Sequence, residues 1–328
     1  MSIDWDALGS LLKANDRFLL TSHLRPDCDA LGSELGLAGV LEALGKQVHI
    51  VNADATPANI QFIDPDRKIK ALGVDVTLDT LPAHDVFIVL DTSAWVQLGD
   101  MADALKSTTA TKCVIDHHVS ADDLGAIEFK NTDSEATGRL ITDLAIHMGI
   151  ELTPKISMPL FAALVTDTGW LRFPSVSAQS FVTAGKLVDG GADPTWIYGQ
   201  LYEQNTLPRF LLKGRILTRM STLHEGQLAY SWVLNRDFDE TGAERTDTDD
   251  AANQGLRIKG TVASFMMVEQ PDGRFKVSFR SRGIDVSKVA ETFGGGGHRA
   301  ASGAFVPGPL ESARAALLAA MGNAVTAG

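Results

Sequence analysis

The sequence predicts an α/β protein with two domains. In the N-terminal part, apolar runs of strand length alternate with segments of helical period, and such strand-helix-strand units imply a parallel sheet with helices on both faces. Toward the C-terminus the apolar segments become short and alternating, which indicates a smaller α/β domain. The predicted boundaries are 1–200 for the first domain, 201–224 for a helical connector and 225–328 for the second domain.

The N-terminal elements follow in order. A helix is predicted over 6–14 and a strand over 18–23; a second helix starts near Leu31 and is closed by Gly45, and the next strand is 47–52. The runs 86–90 and 113–115, with a helix between them, are continuously apolar, as expected for strands buried on both faces. Later helices are predicted over 137–148, 159–166 and 178–188.

The C-terminal half begins with a predicted long helix over 207–223, which we interpret as the connector. Strands follow at 228–234, 258–267 and 275–279, and Pro271-Asp272-Gly273 predicts a hairpin turn between the last two. Residues 237–254 predict a polar, acidic loop. A glycine cluster at 294–297, a strand at 303–306 and an alanine-rich helix complete the chain.

Composition limits the possible functions. The chain has 328 residues, 45% of them hydrophobic, and a formal net charge of −12, which disfavours broad binding of duplex nucleic acid but permits a small anionic substrate. Two cysteines are too few for a disulfide framework and favour a reducing, cytoplasmic setting. A signal peptide is not expected, because Asp4 and Asp6 lie where it would carry basic residues. The apolar runs are too short to span a membrane.

Acidic and imidazole side chains collect where the predicted strands and helices end. Because parallel strands share one carboxyl edge, where ligands of such sheets bind, we expect these side chains to meet there. So many carboxylates would repel one another without cations, and metal ions are the simplest compensation. The set is His23, Asp27, Asp29, Asp91, Asp116, His117, His118 and Asp167.

Spacing divides these residues between two roles. Alternation along an extended backbone sends Asp116 and His118 to one side and His117 to the other. The loop after the first strand can wrap His23 and Asp27 around one ion while Asp29 reaches a second. Asp91 could bridge two ions ~3.5–4 Å apart, an arrangement used for phosphoryl displacement.

The mixture of imidazoles and carboxylates favours two manganese ions, with magnesium and cobalt as alternatives. Two members of the set have simpler interpretations. Asp27 could be an acid in a turn, and Asp29 could be the N-cap of the helix that follows.

A second candidate site combines a basic strand end with a glycine run. Arg280 and Arg282 flank Ser281, and Gly294, Gly295, Gly296 and Gly297 lead directly into His298 and Arg299. Glycines let backbone N–H groups approach an anion, and a helix starting after them would add partial positive charge. Arginine and histidine supply charge-assisted donors to phosphate. The alternative is a flexible linker.

These motifs resemble the DHH phosphoesterase family. The resemblance is carried by the segments 23–33 (HLRPDCDALGS), 90–92 (LDT), 116–118 (DHH) and 166–169 (TDTG), followed by the glycine run, and it covers nearly the whole chain. Within the family, the chain most resembles the nano-RNase branch, which hydrolyses short oligoribonucleotides or linear dinucleotides to nucleoside 5′-monophosphates and 3′-phosphoadenosine 5′-phosphate (pAp) to AMP.

The resemblance also implies roles for individual residues. His23, Asp27 and Asp91 would hold one manganese, and Asp29, Asp91, His117 and Asp167 the other. Asp116 would orient its neighbours, and His118 would contact the scissile phosphate, so that His118, Asp116 and Asp91 form the catalytic set. The remaining substrate contacts would come from Arg280, Arg282, Gly295, Gly296, Gly297, His298 and Arg299. A hydroxide shared by the two ions would attack phosphorus in line with the leaving oxygen.

Two departures from the family pattern stand out. Cys28 lies where the family usually has glycine, which makes the site redox-sensitive in principle, although a small buried residue is the simpler interpretation. Residues 133–137 (DSEAT) differ from the serine-rich stretch expected there, so no role is carried onto them.

Three other functions are open. A regulatory module or phosphodiesterase for cyclic dinucleotides, a RecJ-like exonuclease and a manganese pyrophosphatase share parts of the pattern. RecJ-like enzymes would need a further oligonucleotide-binding domain and stacking aromatics along a basic groove, and pyrophosphatases would lack the glycine-rich ending. The preferred substrate and the choice between monomer and homodimer are also open.

Overall fold

The computed structural model describes residues 3–327 and divides the chain into two compact units between Gln204 and Asn205. The helices of unit 1 are α1 Trp5–Ala14, α2 Cys28–Ala43, α3 Met101–Ser107, α4 Thr137–His147, α5 Pro154–Asp167, α6 Ala178–Asp189 and α7 Pro194–Tyr202. Its strands are β1 Arg17–Thr21, β2 Gln47–Asn52, β3 Ile69–Ala71, β4 Val86–Leu90, β5 Thr111–Asp116 and β6 Ile127–Lys130. Within the described residues, the search for a helix long and apolar enough to cross a membrane found none.

Unit 1 is built on a parallel sheet with the strand order β3-β2-β1-β4-β5-β6. Successive side chains of a strand point to opposite faces, and both faces are buried here. Phe18 and Leu20 of β1 enter one core with residues of α2, α4 and α5, whereas Leu19 enters a second core with residues of α3. The prediction of a parallel sheet covered by helices on both faces is confirmed.

The order of the strands reverses beside β1. Because β1 pairs with both β2 and β4, the connections leave the sheet in opposite directions on its two sides. A crevice opens at such a point beyond the carboxyl ends of the strands. The segments that follow β1, β4 and β5 lie at this edge.

Helices α2 and α5 pack closely through glycine. A Cβ at Gly32 would lie 2.4 Å from the carbonyl oxygen of Pro159, and one at Gly36 would lie 2.3 Å from a methyl carbon of Leu160. The predicted start of this helix at residue 159 is wrong, because α5 begins at Pro154 and contains Pro159 in its interior. Proline is favoured in the first helical turn, and the sequence offers two prolines for that position.

Unit 2 contains a mixed sheet with the order β11-β12-β10-β9-β8-β7, in which β8 and β9 are parallel and the other pairs antiparallel. Its helices are α8 Leu207–Arg219, α9 Asn235–Thr241, α10 Ala251–Gly255, α11 Val286–Thr292 and α12 Leu310–Ala327. Its strands are β7 Ser221–Leu223, β8 Leu228–Val233, β9 Ala263–Glu269, β10 Phe275–Ser281, β11 Gly296–His298 and β12 Ala301–Val306. The predicted hairpin is confirmed, with Gly273 at φ +81° in its turn.

Predictions for several elements of this half are wrong. The strand expected over 258–267 begins only at Ala263 and ends at Glu269. The helix expected over 207–223 ends at Arg219, and 221–223 form β7; Leu212 and Ile216 of α8 pack in a core of unit 2. Residues 237–254, expected as a loop, contain the end of α9 and part of α10. Asp237 is fully buried and accepts hydrogen bonds from Arg215 at 3.2 Å and Arg219 at 2.8 Å. An acidic side chain that suggests a solvated loop therefore forms internal ion pairs with these arginines. The division at 200 and 224 stays a prediction.

We expect Gly32→Ala to destabilise unit 1 by about 1–3 kcal/mol, since the added methyl group collides with backbone of α5. Gly185→Ala is the matched control, because this exposed glycine of α6 has open space around its Cα, and alanine there should stabilise by up to about 1 kcal/mol. Denaturant unfolding of both variants measures the difference. An unchanged midpoint for Gly32→Ala would show that α2 and α5 do not pack this closely.

Candidate functional site

The carboxyl edge of the unit 1 sheet gathers acidic and imidazole side chains from five elements. His23 follows β1, Asp91 follows β4 directly, and Asp116 ends β5, with His117 and His118 next in the chain. The start of α2 supplies Asp27 and Asp29, and the end of α5 supplies Asp167. Potential metal-ligating atoms of these residues fall into three overlapping groups: His23 with Asp27 and Asp91, Asp29 with His117 and Asp167, and Asp91 with His117 and His118.

Asp91 connects these groups through its two carboxylate oxygens. Its Oδ2 lies 3.4 Å from Nε2 of His23, which is also 3.9 Å from Oδ1 of Asp27. Its Oδ1 lies 3.5 Å from Nε2 of His117. That nitrogen is in turn 3.7 Å from Asp29 and 3.6 Å from Asp167. Each oxygen of Asp91 therefore faces a different set of donors.

These separations fit divalent ions better than hydrogen bonds. They exceed hydrogen-bond lengths, whereas two ligand atoms about 2.1 Å from one ion lie about 3.0–3.6 Å apart at angles of 90–120°. The 3.9 Å between His23 and Asp27 corresponds to a wider angle. The imidazoles are also oriented as ligands. Nδ1 of His23 donates to the carbonyl oxygen of Leu24 at 2.8 Å, and Nδ1 of His117 donates to that of Ser134 at 3.1 Å. In the neutral rings, Nε2 is then left with its lone pair toward the carboxylates.

The electrostatics of the cluster also call for cations. Burial, followed by the charges of Asp91 and Asp167, raises the pKa of Asp29 well above its usual value. Burial lowers the pKa of His23, but its contact with Asp91, the Leu24 carbonyl and Asp27 outweigh that effect and raise it to about 9. Like charges in a buried site are favourable only when positive charge is added.

Helix α4 holds two of the carboxylates. The backbone N–H groups of Thr137 and Gly138 donate to the two oxygens of Asp29, each at 2.8 Å, and the Thr137 hydroxyl donates to Oδ1 of Asp91 at 2.8 Å. Asp91 has φ +61°, a left-handed conformation that aspartate tolerates better than most residues. The sequence motifs suggest no role for the 133–137 segment. The available signal was the predicted helix start at residue 137, because helix N-termini bind carboxylates.

The N-cap of α2 is Asp27, so the expectation of Asp29 as the cap is wrong. Oδ1 of Asp27 accepts from the backbone N–H groups of Asp29 at 2.9 Å and Ala30 at 3.1 Å. The capping oxygen is also the one nearest His23. Asp27 thus combines a local structural contact with a place in the cluster.

Asp116 and His118 form a hydrogen-bonded pair, in which Nδ1 of His118 donates to Oδ1 of Asp116 at 2.8 Å. The expected separation of His118 from His117 is wrong, because β5 ends at Asp116 and the two imidazole rings lie 4.5 Å apart. Both rings approach Oδ1 of Asp91, at 3.5 Å from His117 and 3.8 Å from His118. His118 is half exposed, and its hydrogen bond with Asp116 raises its pKa. Burial opposes ionisation of Asp116, but hydrogen bonds from His118, Ser93 and Lys130 outweigh it and lower the pKa. No sequence motif indicates Ser93 or Lys130 as partners of Asp116.

A second supporting contact lies behind His23. The buried side chain of Glu34 accepts from Nδ2 of Asn52 at 2.8 Å, and Oδ1 of Asn52 accepts from the backbone N–H of Ser22 at 2.9 Å. Burial raises the pKa of Glu34 to about 8. The pair holds the end of β1 immediately before His23. Its two members are distant in sequence, so no local pattern indicates it.

Cys28 is buried at the start of α2. Burial, followed by the charges of Asp27 and Asp29, raises the pKa of its thiol to about 12. A thiol is reactive mainly as thiolate, so the structure favours the interpretation of a buried small residue over a redox-sensitive one.

In unit 2 the glycine run forms an edge strand, and the helix expected to begin after it is wrong. Residues 296–298 form β11, which pairs with β12. A Cβ at Gly295 would lie 2.1 Å from the carbonyl oxygen of Gly303, and one at Gly297 would lie 2.6 Å from Cα of Ser302. The close approach that requires glycine is therefore to the neighbouring strand. At Gly296, by contrast, a Cβ would have open space around it.

The basic residues nevertheless share one sheet face. Ala301 pairs with Arg280 on one side and with His298 on the other, so the three side chains form a row on the outer face. The neighbouring row is Ser278, Gly303 and Gly296. Small residues between an arginine and a histidine leave backbone accessible to an anion. Arg282 and Arg299 are exposed at the ends of the same strands, and Arg299 donates to the carbonyl oxygen of Gly283 at 3.0 Å.

Asp91→Asn should weaken binding of Mn²⁺ by at least about tenfold, because the amide keeps the size of the side chain but removes the charge that faces both donor groups. The measurement is calorimetric titration with MnCl₂. Asp189→Asn, at the exposed end of α6, is the control for loss of one negative charge and should bind as the wild type does. Undiminished binding by Asp91→Asn would contradict the bridging position.

Comparison with known proteins agrees with this geometry. Residues 17–166 match the model for the DHH family, N-terminal domain, and residues 225–327 match the model for the DHHA1 domain. The chain is 30% identical over 297 residues to the bifunctional oligoribonuclease and PAP phosphatase NrnA of Thermus thermophilus. The match covers 88% of this chain and 84% of the relative. It is 26% identical to the NrnA protein of Bacillus subtilis, over 89% of this chain and 90% of the relative.

Among solved structures, an exopolyphosphatase-related protein from Bacteroides fragilis has a similar fold. Its TM-score is 0.80 at 24% identity, and the match covers 98% of this chain and 96% of that one. Together, the two family models and the relatives that match along most of the sequence identify the family. The chain belongs to the DHH family and joins the family's N-terminal domain to a DHHA1 domain.

Proposed function

We propose that this chain is a metal-dependent phosphoesterase that hydrolyses short oligoribonucleotides or linear dinucleotides to nucleoside 5′-monophosphates and converts pAp to AMP. The observation that carries the proposal is Asp91, whose two oxygens face two different sets of donors at the carboxyl edge of the sheet. The names of the Thermus and Bacillus relatives, an oligoribonuclease and PAP phosphatase, support the substrate class.

On the basis of these donor sets, we propose ligands for two divalent ions. His23, Asp27 and Asp91 would hold one, and Asp29, Asp91, His117 and Asp167 the other. Two imidazoles among four carboxylates favour Mn²⁺ over Mg²⁺. When bound, such ions lower the pKa of a water molecule and neutralise charge on phosphoryl oxygens.

His118 is the residue we assign to the phosphoryl group. Its Nδ1 is engaged by Asp116, so its second nitrogen is the one available to substrate, and the half-exposed ring makes that nitrogen accessible. The carboxylate of Asp116 stabilises the imidazolium, which donates a hydrogen bond to a non-bridging oxygen. Asp116 itself is fully buried and acts as a positioning residue for His118.

Unit 2 would bind the rest of the substrate. Arg280 and His298 flank the small residues of the outer sheet face, and Arg282 and Arg299 add exposed positive charge nearby. Backbone N–H groups of Gly295, Gly296 and Gly297 are the other expected contacts. The proposed site offers only a few positively charged side chains, and the chain as a whole has a net charge of −12. Such a site suits a short substrate better than a long polyanion.

Hydrolysis of a substrate panel tests the function. The panel is pApA, a five-nucleotide RNA, a long RNA, a cyclic dinucleotide, pAp and pyrophosphate, each with Mn²⁺ and with or without a chelator. We expect chelator-sensitive release of nucleoside monophosphates from pApA and the five-nucleotide RNA and of AMP from pAp. Binding of these ligands without turnover would instead support a regulatory module, and preferred cleavage of the cyclic dinucleotide would change the substrate class.

Kinetics of two variants separate the roles of the two sites. Asp91→Ala should abolish turnover at every Mn²⁺ concentration, whereas His298→Ala should mainly raise KM, by about 10-fold or more, because it removes a donor to bound phosphate. His49→Ala, at an exposed position on β2, is the matched histidine control and should leave both constants unchanged. Near-normal turnover by Asp91→Ala would make the two-metal assignment wrong.

A further inference from the structure

Unit 1 carries a compact cluster of aromatic rings that the metal and phosphate chemistry does not use. Trp170 contacts two tyrosines of α7, with ring centroids 5.0 Å from Tyr198 and 5.9 Å from Tyr202. The two tyrosine rings are themselves 4.9 Å apart. Tyr198 is 40% exposed and Tyr202 43% exposed, which is high for aromatic side chains that could pack inside.

The cluster is rigidly supported from the core. Trp170 makes an edge contact with Phe161 of α5 at a centroid distance of 6.1 Å and packs against the main core of unit 1. Both tyrosine rings meet the partly buried Trp170 ring at a steep angle, 78° for Tyr198 and 84° for Tyr202, and these contacts fix their orientation. A preorganised aromatic surface binds a planar ligand with less loss of side-chain entropy than mobile rings would.

The backbone that presents Trp170 is strained. Trp170 has φ +61° and Leu171 has φ +57°, a left-handed conformation that is unusual for two bulky residues in succession. The amide of Trp170 donates to the carbonyl oxygen of Val165, which closes the turn after α5. Strain of this kind persists where the surroundings fix it and is frequent at ligand sites.

Two connections place the cluster beside the metal-ligating residues. Trp170 follows Asp167 by three residues, and a Cβ at Gly169 would lie 2.3 Å from the ring of Phe173, so that exposed ring covers the same turn. On α7, Tyr198 and Tyr202 contact Trp170 itself, which connects both tyrosines to the turn that follows Asp167. A molecule on the tyrosine rings would thus lie near the site proposed for its phosphate.

We propose that Tyr198 and Tyr202, supported by Trp170, form a stacking surface for one nucleobase of the substrate. The inference rests on the proposed function and extends it by assigning the part of unit 1 that recognises a base. Stacking is available to any base, because each presents a π-face, so this surface would select nucleotides over other phosphate esters without selecting a sequence.

Binding of AMP and ribose 5-phosphate tests this surface, because the two ligands differ essentially by the base. Calorimetry with Mn²⁺ present should show tighter binding of AMP by the wild type. We expect Tyr198→Leu and Tyr202→Leu each to weaken AMP binding by at least about fivefold and to leave ribose 5-phosphate binding unchanged. Tyr198→Phe, which keeps the ring, should retain the preference for AMP.

Trp196→Leu is the matched control on the same helix. Trp196 is exposed to a similar extent, but its ring contacts Phe62 at 5.5 Å rather than the cluster, so its loss should not change the AMP preference. An unchanged preference in both tyrosine variants would overturn the proposal. A change in oligomeric state with AMP binding intact would also overturn it, since the surface would then be an interface between chains.

The outcome is separable from that of the proposed function. Turnover of the panel with no effect of the tyrosine variants on AMP binding would remove the stacking surface and keep the phosphoesterase. A base-dependent effect in a protein that hydrolyses no member of the panel would keep the surface and remove the enzyme.

Discussion

Repulsion between buried carboxylates is the constraint on which the active edge of unit 1 depends. Asp29, Asp91 and Asp167 approach one another where little water can screen them. Burial, followed by the charges of neighbouring carboxylates, raises the pKa values of Asp29 and Asp167. Two kinds of compensation are present: backbone N–H groups of α4 and imidazoles whose nitrogens face the carboxylates. Hydrogen bonds orient the carboxylates, and the remaining negative charge attracts divalent cations.

The positions of these carboxylates depend on how the helices around them pack. Asp29 begins α2 and Asp167 ends α5, so the distance between them depends on how closely the two helices pack. Gly32 and Gly36 allow that close packing. The start of α4 then connects Asp29 to Asp91 through Thr137. Core packing and ligand geometry in this unit are therefore parts of one arrangement.

Much of this arrangement follows from local sequence. Continuous apolar runs ending in an acid predict buried parallel strands, and all parallel strands end at one edge, so the gathering of His23, Asp91 and Asp116 needs no knowledge of the tertiary fold. The alternation expected to separate His117 from His118 does not apply, because the strand ends at Asp116 and both imidazoles turn toward Asp91. Family resemblance adds the roles of these residues, and the comparisons show the family.

The features that were missed depend on contacts between distant segments. Asn52 and Glu34 meet only because β2 lies beside β1. The glycine run was interpreted through its local property, conformational freedom, whereas Gly295 and Gly297 are required by the approach of β12. Aromatic residues 28 positions apart, such as Trp170 and Tyr198, likewise become a surface only after folding.

The lengths of the outermost strands have a further consequence. The sheet of unit 1 ends in β3 and β6, of three and four residues, and that of unit 2 ends in β7 and β11, of three residues each. An exposed edge can recruit strands from another chain, and its tendency to do so grows with the number of unpaired backbone groups in register. Edges this short offer few such groups. The short outermost strands thereby protect both sheets from aggregation. The carboxyl ends of the strands in unit 1 and the outer sheet face of unit 2 stay accessible to small ligands.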